Sequence, residues 1–295
     1  MNSCAKVFLI AVMTTGLFAG SAGASTIYTW TGAVDGDWEN AANWDANGVP
    51  VDAQGRTTEL SFENSNPDRI VINATNHSPS NNVPRLYPYH VNGEVTPTVD
   101  VLNGHVAFDI TSDRPGSGHT ELNDHTFTTI GDGDVGTGLA SLTYNNPGQF
   151  RRGGNFVMSV TVNSDGSFIF GSGTTLARTG ALQVTLAGGS TTFMDWVRPQ
   201  HGNGDPGDPT GNSWFDFTAV GATFTAGFGS IFEDIDWVNY YIDEGEFFRN
   251  STGLPLVATD NNDNTFTVTA IPEPGAVGLM AIFAAAAILR RRLRK

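Results

Sequence analysis

Phe156-Val157-Met158-Ser159-Val160-Thr161-Val162-Asn163-Ser164-Asp165-Gly166-Ser167-Phe168-Ile169-Phe170 reads as two β-type runs joined by one turn. Both runs are rich in β-branched and aromatic residues, and both alternate with the period of two that a half-buried strand requires. Asp-Gly is the strongest short hairpin signal, so the turn at Asn163-Ser164-Asp165-Gly166 predicts a hairpin. Similar runs recur on either side. Leu182-Gln183-Val184-Thr185-Leu186, Phe215-Asp216-Phe217-Thr218 and Thr265-Phe266-Thr267-Val268-Thr269 are separated by Gly-rich turns. Leu60-Ser61-Phe62, Ile70-Val71-Ile72, Val99-Asp100-Val101-Leu102 and Val106–Ile110 extend the rhythm upstream, with Pro- and Asn-rich loops between them such as Ser78–Pro88. The intervals are irregular, so no strict repeat is present. The expected fold is all-β: a parallel β-solenoid, with a jelly-roll β-sandwich as the alternative.

Further out lies an aromatic segment, Trp30-Thr31-Gly32-Ala33-Val34-Asp35-Gly36-Asp37-Trp38-Glu39-Asn40-Ala41-Ala42-Asn43-Trp44, closed by Gly48-Val49-Pro50. Three Trp broken by Gly and Asp turns predict a compact aromatic cluster. The spaced Trp and the Asn-Trp pair resemble the opening module of autotransporter-like and other bacterial surface β-solenoid proteins, where that module caps the first coil. The resemblance implies an N-terminal aromatic cap, since the end of a solenoid must be covered. The functional alternative is a sugar-stacking platform.

One helix is expected. Ser230 and Glu233 form a capping box, Ile231, Ile235, Val238 and Ile242 follow helical spacing, and Gly245 is a stop.

Both ends of the chain read as addresses. Lys6, the apolar stretch Val7 to Ala19 and the small-x-small element Ala22-Gly23-Ala24 have the layout of a secretory signal peptide (residues 1–24). Cleavage is expected between Ala24 and Ser25. Cys4, the single cysteine, is lost with that peptide, leaving no disulfide, thiolate nucleophile or cysteine ligand. At the other end, Ile271-Pro272-Glu273-Pro274-Gly275 precedes the apolar run Ala276 to Leu289 and the cluster Arg290, Arg291, Arg292, Arg294, Lys295. Pro272 and Pro274 refuse a helix, whereas 276–289 suits one. At about 1.5 Å per residue the run covers roughly 21 Å, short of the roughly 30 Å hydrocarbon layer. Its lack of a polar face and its cationic end nevertheless favour insertion over burial in a core, because long Arg side chains snorkel. Pro-Glu-Pro, a short hydrophobic helix and a terminal Arg cluster resemble the carboxy-terminal sorting signal of PEP-CTERM proteins. The resemblance covers residues 271–295. It implies export through the Sec machinery, transient anchoring in the inner membrane and processing by exosortase, with Pro272, Glu273 and Pro274 as the sorting motif.

The chain has 30 acidic and 15 basic residues, a net charge of −15. Between the two addresses, residues 25–271 hold nine Arg against 29 acids, a balance of −20. Such a surface repels nucleic acid and anionic lipid and attracts cations.

Candidate chemistry is sparse. Glu233-Asp234-Ile235-Asp236 has the carboxylates of a glycosidase but sits on a helix start, where acids complement the dipole. His119, Glu121, Asp124 and His125 fit no strong zinc spacing. Asp260-Asn261-Asn262-Asp263-Asn264 has Thr265 and Ile271 where a calcium loop needs Gly and Glu, so it reads as a turn. Gly131-Asp132-Gly133-Asp134 and Gly204-Asp205-Pro206-Gly207-Asp208 suit at most weak Ca²⁺ binding. No cofactor, catalytic residue or metal site is expected. The functional expectation is an exported, non-enzymatic cell-surface or extracellular-matrix protein with extracellular polysaccharide as a candidate partner. The alternatives are a carbohydrate-binding module and a polysaccharide-degrading enzyme.

Overall fold

The computed structural model describes residues 26–45, 48–51, 59–60, 62–63, 69–86, 94–95, 98–109, 119–120, 127–145, 149–150, 157–172, 175–176, 181–197, 213–229 and 232–273. Ala24, Ser25, Pro274, the 276–289 run and Arg290, Arg291, Arg292, Arg294 and Lys295 lie outside them, as do Glu121, Asp124, His125 and Gly204–Asp208. Among the described residues no helix is long and apolar enough to cross a membrane.

The fold is mostly β, and its main sheet of 14 strands curls into a half-barrel. Val157–Asn163 and Gly166–Phe170, the two runs around Asp165-Gly166, do not pair with each other. Val157–Asn163 lies parallel between Phe127–Ile130 and Ala181–Ala187. Gly166–Phe170 lies parallel between Ala140–Asn145 and Ser190–Trp196. The expected hairpin is therefore a corner between two ladders. A two-residue type I′ hairpin needs positive φ at both central residues, and neither Asp165 nor Gly166 has it. Tertiary bonds hold the corner instead. The Asp165 carboxylate accepts from the backbone N–H of Asp132 (3.0 Å) and Gly133 (2.8 Å), in the corner of the preceding strand pair. Asn163 Nδ2 donates to Gly131 O at 2.8 Å. A Cβ on Gly166 would lie 2.2 Å from Ile130 O, so glycine is needed here for close approach of the two backbones.

The same step repeats. The chain supplies one strand to a first ladder and then one to a second. Ile27–Trp30, Arg69–Asn73, the first half of Thr98–Asp109, Phe127–Ile130, Val157–Asn163, Ala181–Ala187, Trp214–Phe217 and Phe248–Arg249 form the first, all parallel. The second half of Thr98–Asp109, Ala140–Asn145, Gly166–Phe170, Ser190–Trp196 and Thr223–Gly227 form the second, also parallel. His119–Thr120, Gln149–Phe150 and Thr175–Leu176 form a short third ladder. Two antiparallel strands, Thr265–Ala270 and Leu256–Asp260, close the second ladder. The true hairpin is theirs. Its loop is Asn261 to Asn264, and Asn262 and Asn264 adopt the left-handed conformation that Asn tolerates.

Parallel register stacks like on like. Trp30, Ile72, Val101, Ile130, Val162, Leu186 and Phe217 occupy one column of the first ladder, every one buried. Phe108, Tyr144, Phe170 and Phe193 form a column of the second, with Phe170 and Phe193 stacked at 4.2 Å. Outward positions carry hydroxyls, and Ser190 Oγ donates to Ser167 Oγ at 2.9 Å. One column breaks the apolar rule: Thr191 sits between Phe168 and Phe224, fully buried, and its hydroxyl has no hydrogen-bond partner among the described residues.

Candidate functional site

An aromatic cluster packs beside the first strand and a helix lies over the last ones. At the N-terminal end Trp30 and Trp38 stack at 5.9 Å and Trp44 meets Trp38 edge-on at 4.6 Å. Trp30 and Trp38 are 0 % exposed and Trp44 is 6 %. Trp30 Nε1 donates to His77 O (2.9 Å) and Trp44 Nε1 to Trp38 O (2.7 Å). Burying such a ring removes roughly 150–250 Å² from water. At about 25 cal/mol per Å² that is a gross stabilisation of roughly 4–6 kcal/mol per ring. The ring faces are consumed by packing, so the sugar-stacking reading of this segment is wrong.

Asparagine holds the cap together. Buried Asn43 accepts at Oδ1 from the N–H of Val34 (2.9 Å) and Asp35 (3.1 Å), and Nδ2 donates to Asp35 Oδ1 (2.6 Å) and Asp37 O (3.0 Å). Asp35 also accepts from Asp37 N and Asn40 Nδ2. The Asn43 hydrogen bond, then the Asp37 N–H and Asn40, holds the Asp35 carboxyl below its ordinary range.

At the C-terminal end the helix Ile235–Glu244 lies over the last strands. Its N-cap is Asp234, whose carboxylate accepts from Asp236 N (3.0 Å) and Trp237 N (3.1 Å), not the expected Ser230–Glu233 box. A carboxylate at Ncap both caps the orphan donors and meets the positive end of the dipole. Gly245 stops the helix at φ 68°, as expected. Val238 is buried, and Ile235, Tyr241 and Ile242 pack inward. Burial, reinforced by Tyr240 and Glu246, raises the Tyr241 phenol above its ordinary value. The outward face carries Trp237 (45 % exposed) and Tyr240 (49 %), their rings 5.6 Å apart and nearly perpendicular. Asp236, Asp243 and Glu244 are exposed on the same helix, and no basic residue stands in its last turn. Helical periodicity yields Ile235, Val238 and Ile242 from sequence but misses Tyr241, and Ile231 lies outside the described residues. The signal for the outward pair is two aromatics on the polar side, which that reading passed over.

The Pro-Glu-Pro segment follows the last strand directly. Ala270 pairs with Leu256, Ile271 N donates to Pro255 O at 3.0 Å, Pro272 is half-buried and Glu273 is exposed.

Among the described residues, several of the carboxylates singled out in sequence accept hydrogen bonds. Asp132 accepts from Asp134 N (2.8 Å) and Thr137 Oγ1 (2.8 Å), which lowers its carboxyl below the ordinary range, and Asp134 accepts from Gly136 N (2.9 Å). Asp263 accepts from Thr265 N at 3.1 Å. His119 stands on a strand of the third ladder. Among the described residues no group of three or more His, Cys, Asp or Glu is arranged to hold a metal ion. In comparisons with known proteins, the chain matches no family model, no curated protein and no solved structure.

Proposed function

We propose that this chain is an exported, non-enzymatic protein of the cell surface or extracellular matrix, built as a parallel β-solenoid and sorted through a PEP-CTERM signal. The signal peptide would occupy residues 1–24, the β domain 25–270 and the sorting signal 271–295. One observation carries the reading: the last strand, Thr265–Ala270, runs directly into half-buried Pro272 and exposed Glu273, where the motif would begin. In this reading Pro272 and Pro274 keep that backbone extended, Glu273 offers a charge between them, and Arg290, Arg291, Arg292, Arg294 and Lys295 hold the tail inside until exosortase acts. The parallel registers support a solenoid over a jelly roll, whose sheets are antiparallel. The acids fit a structural role: Asp165 bonds a neighbouring corner, and Asp216 accepts from Ser251 N (2.9 Å) and Ser251 Oγ (2.6 Å).

The test is fractionation of a carboxy-terminally tagged chain in a host that encodes the processing enzyme. Wild type should lose the tag and leave the inner membrane. Replacing Pro272, Glu273 and Pro274 by Ala should trap a tagged, membrane-bound form. A wild type that keeps its tag and fractionates like the triple variant would leave a plain anchor and no sorting signal.

A further inference from the structure

We infer that the outward face of the Ile235–Glu244 helix binds a cationic amino-sugar polymer, a chain of β-linked glucosamine units bearing free ammonium groups. The inference rests on the extracellular reading above for its setting, and on the surface itself for its chemistry.

Three observations meet on this face. First, Trp237 and Tyr240 are large aromatics left about half exposed, although Val238 between them is buried. They sit at i and i+3, so their rings share one side of the helix and touch. Second, the face is wholly anionic. Asp236 and Glu244 lie four residues either side of Tyr240, Asp243 lies three beyond it, and no Lys or Arg occurs between Phe232 and Phe248. Third, the arrangement breaks a rule. Asp243 and Glu244 stand in the last turn, where the helix dipole already presents its negative end and cations are favoured. Local conflicts of this kind are expected where function is served. A bound cation removes the conflict, because it neutralises the acids and the carbonyl end together.

The occupant must carry positive charge and an apolar face for the rings. An ammonium-bearing pyranose has both: its C–H face packs on indole or phenol, and its ammonium reaches the carboxylates and the ring quadrupole. A lysine-rich peptide also has charge, but on long flexible stems whose ordering costs entropy. A sugar chain is stiffer, so less freedom is lost on binding. The charge balance of the whole chain rules against anionic polysaccharide as the occupant.

The experiment is calorimetric titration of the full-length chain with three probes: a glucosamine hexamer, its fully N-acetylated counterpart and a lysine hexamer. The glucosamine hexamer should bind roughly tenfold or more tighter than either of the others, since ring contact and charge both contribute. Trp237→Ala and Tyr240→Ala should each weaken it severalfold with the thermal midpoint unchanged. The double variant Asp243→Asn, Glu244→Gln should weaken it and flatten its salt dependence. That variant should also melt no lower than wild type, because it relieves the dipole conflict, so loss of binding there is not loss of fold. Equal binding of the acetylated hexamer would overturn the charge argument. Lysine hexamer binding as tightly, with Trp237→Ala silent, would reduce the face to a general polycation surface. No binding of the glucosamine hexamer ends the inference and leaves the sorting reading untouched, since tag fractionation tests that separately.

Discussion

Replacing Asp165 by Ala separates a hairpin turn from a corner between two ladders. In a hairpin, Asp165 is an exposed turn residue whose loss costs a few tenths of a kcal/mol, as for most surface sites. Here it is 3 % exposed and accepts two backbone N–H groups, from Asp132 and Gly133, in the neighbouring corner. Alanine leaves both donors without that acceptor in a space too tight for easy rearrangement. Gly131, beside them, would already clash with Asp165 Oδ1 at 2.4 Å if it carried a Cβ. Each hydrogen bond to a charged acceptor contributes about 1.5–3 kcal/mol, and Asp132 and Gly133 are exposed residues whose donors water can partly satisfy. With partial rehydration of the pair, the expected loss is roughly 2–4 kcal/mol. For a domain of this size that is a fall in thermal midpoint of roughly 4–16 °C. Asp165→Asn keeps one acceptor oxygen and should lose about half as much, although Asn-Gly is itself a favoured hairpin turn. Urea or thermal unfolding followed by far-UV circular dichroism reads both variants. Loss of under about 0.5 kcal/mol in Asp165→Ala, or an Asp165→Asn variant as stable as wild type, would refute the corner.

Other outcomes follow from the same reasoning. Thr191→Val replaces a buried hydroxyl without a partner by a methyl and should stabilise by about 1 kcal/mol, read as a raised urea midpoint; a lower midpoint would mean the hydroxyl is satisfied. Asp234→Ala removes two capping bonds and should cost about 1 kcal/mol, visible as earlier melting of the helix. The Asp35 carboxyl is depressed in the fold, so its contribution is complete above its ordinary value of 3.8 and is lost as pH falls through the lower folded value. The emission of Trp30, Trp38 and Trp44 should therefore shift red only in that acidic window, and Asp35→Asn should remove the transition. A red shift that begins near neutral pH would assign it to another group.

The strands were legible because a period of two survives any topology. The sequence runs 182–186 and 265–269 fall inside Ala181–Ala187 and Thr265–Ala270, and 215–218 overlaps Trp214–Phe217 shifted by one. The corner was not legible, because Asp165-Gly166 looks the same whether the next strand turns back or moves on; the decision lies with Asp132 and Gly133, over thirty residues away. For the same reason Val99–Leu102 and Val106–Ile110 read as two runs, whereas Thr98–Asp109 is one strand bent at Gly104, where φ is +92°. The helix was found from its apolar face, but its start was misplaced: the cap is Asp234, which accepts from the backbone N–H of Asp236 and Trp237, whereas Ser230 lies outside the described residues. The aromatic segment was legible as a cluster. Its burial follows from what stacks beneath it, Ile72 under Trp30 and Phe108 against Trp38.

The closing strand also bears on mechanics. Thr265–Ala270 is flanked on both sides, by five paired residues of Thr223–Gly227 and five of Leu256–Asp260, and Ile271 N donates to Pro255 O just beyond it. Ladder hydrogen bonds run across the strands, so tension applied beyond Ile271 loads both rows in shear, all bonds sharing the force at once. A terminal strand pulled sideways would instead peel, one bond at a time. A tether drawn from this end therefore meets one of the stiffest directions the sheet offers, and the hairpin loop Asn261 to Asn264 makes the neighbouring row part of the same grip.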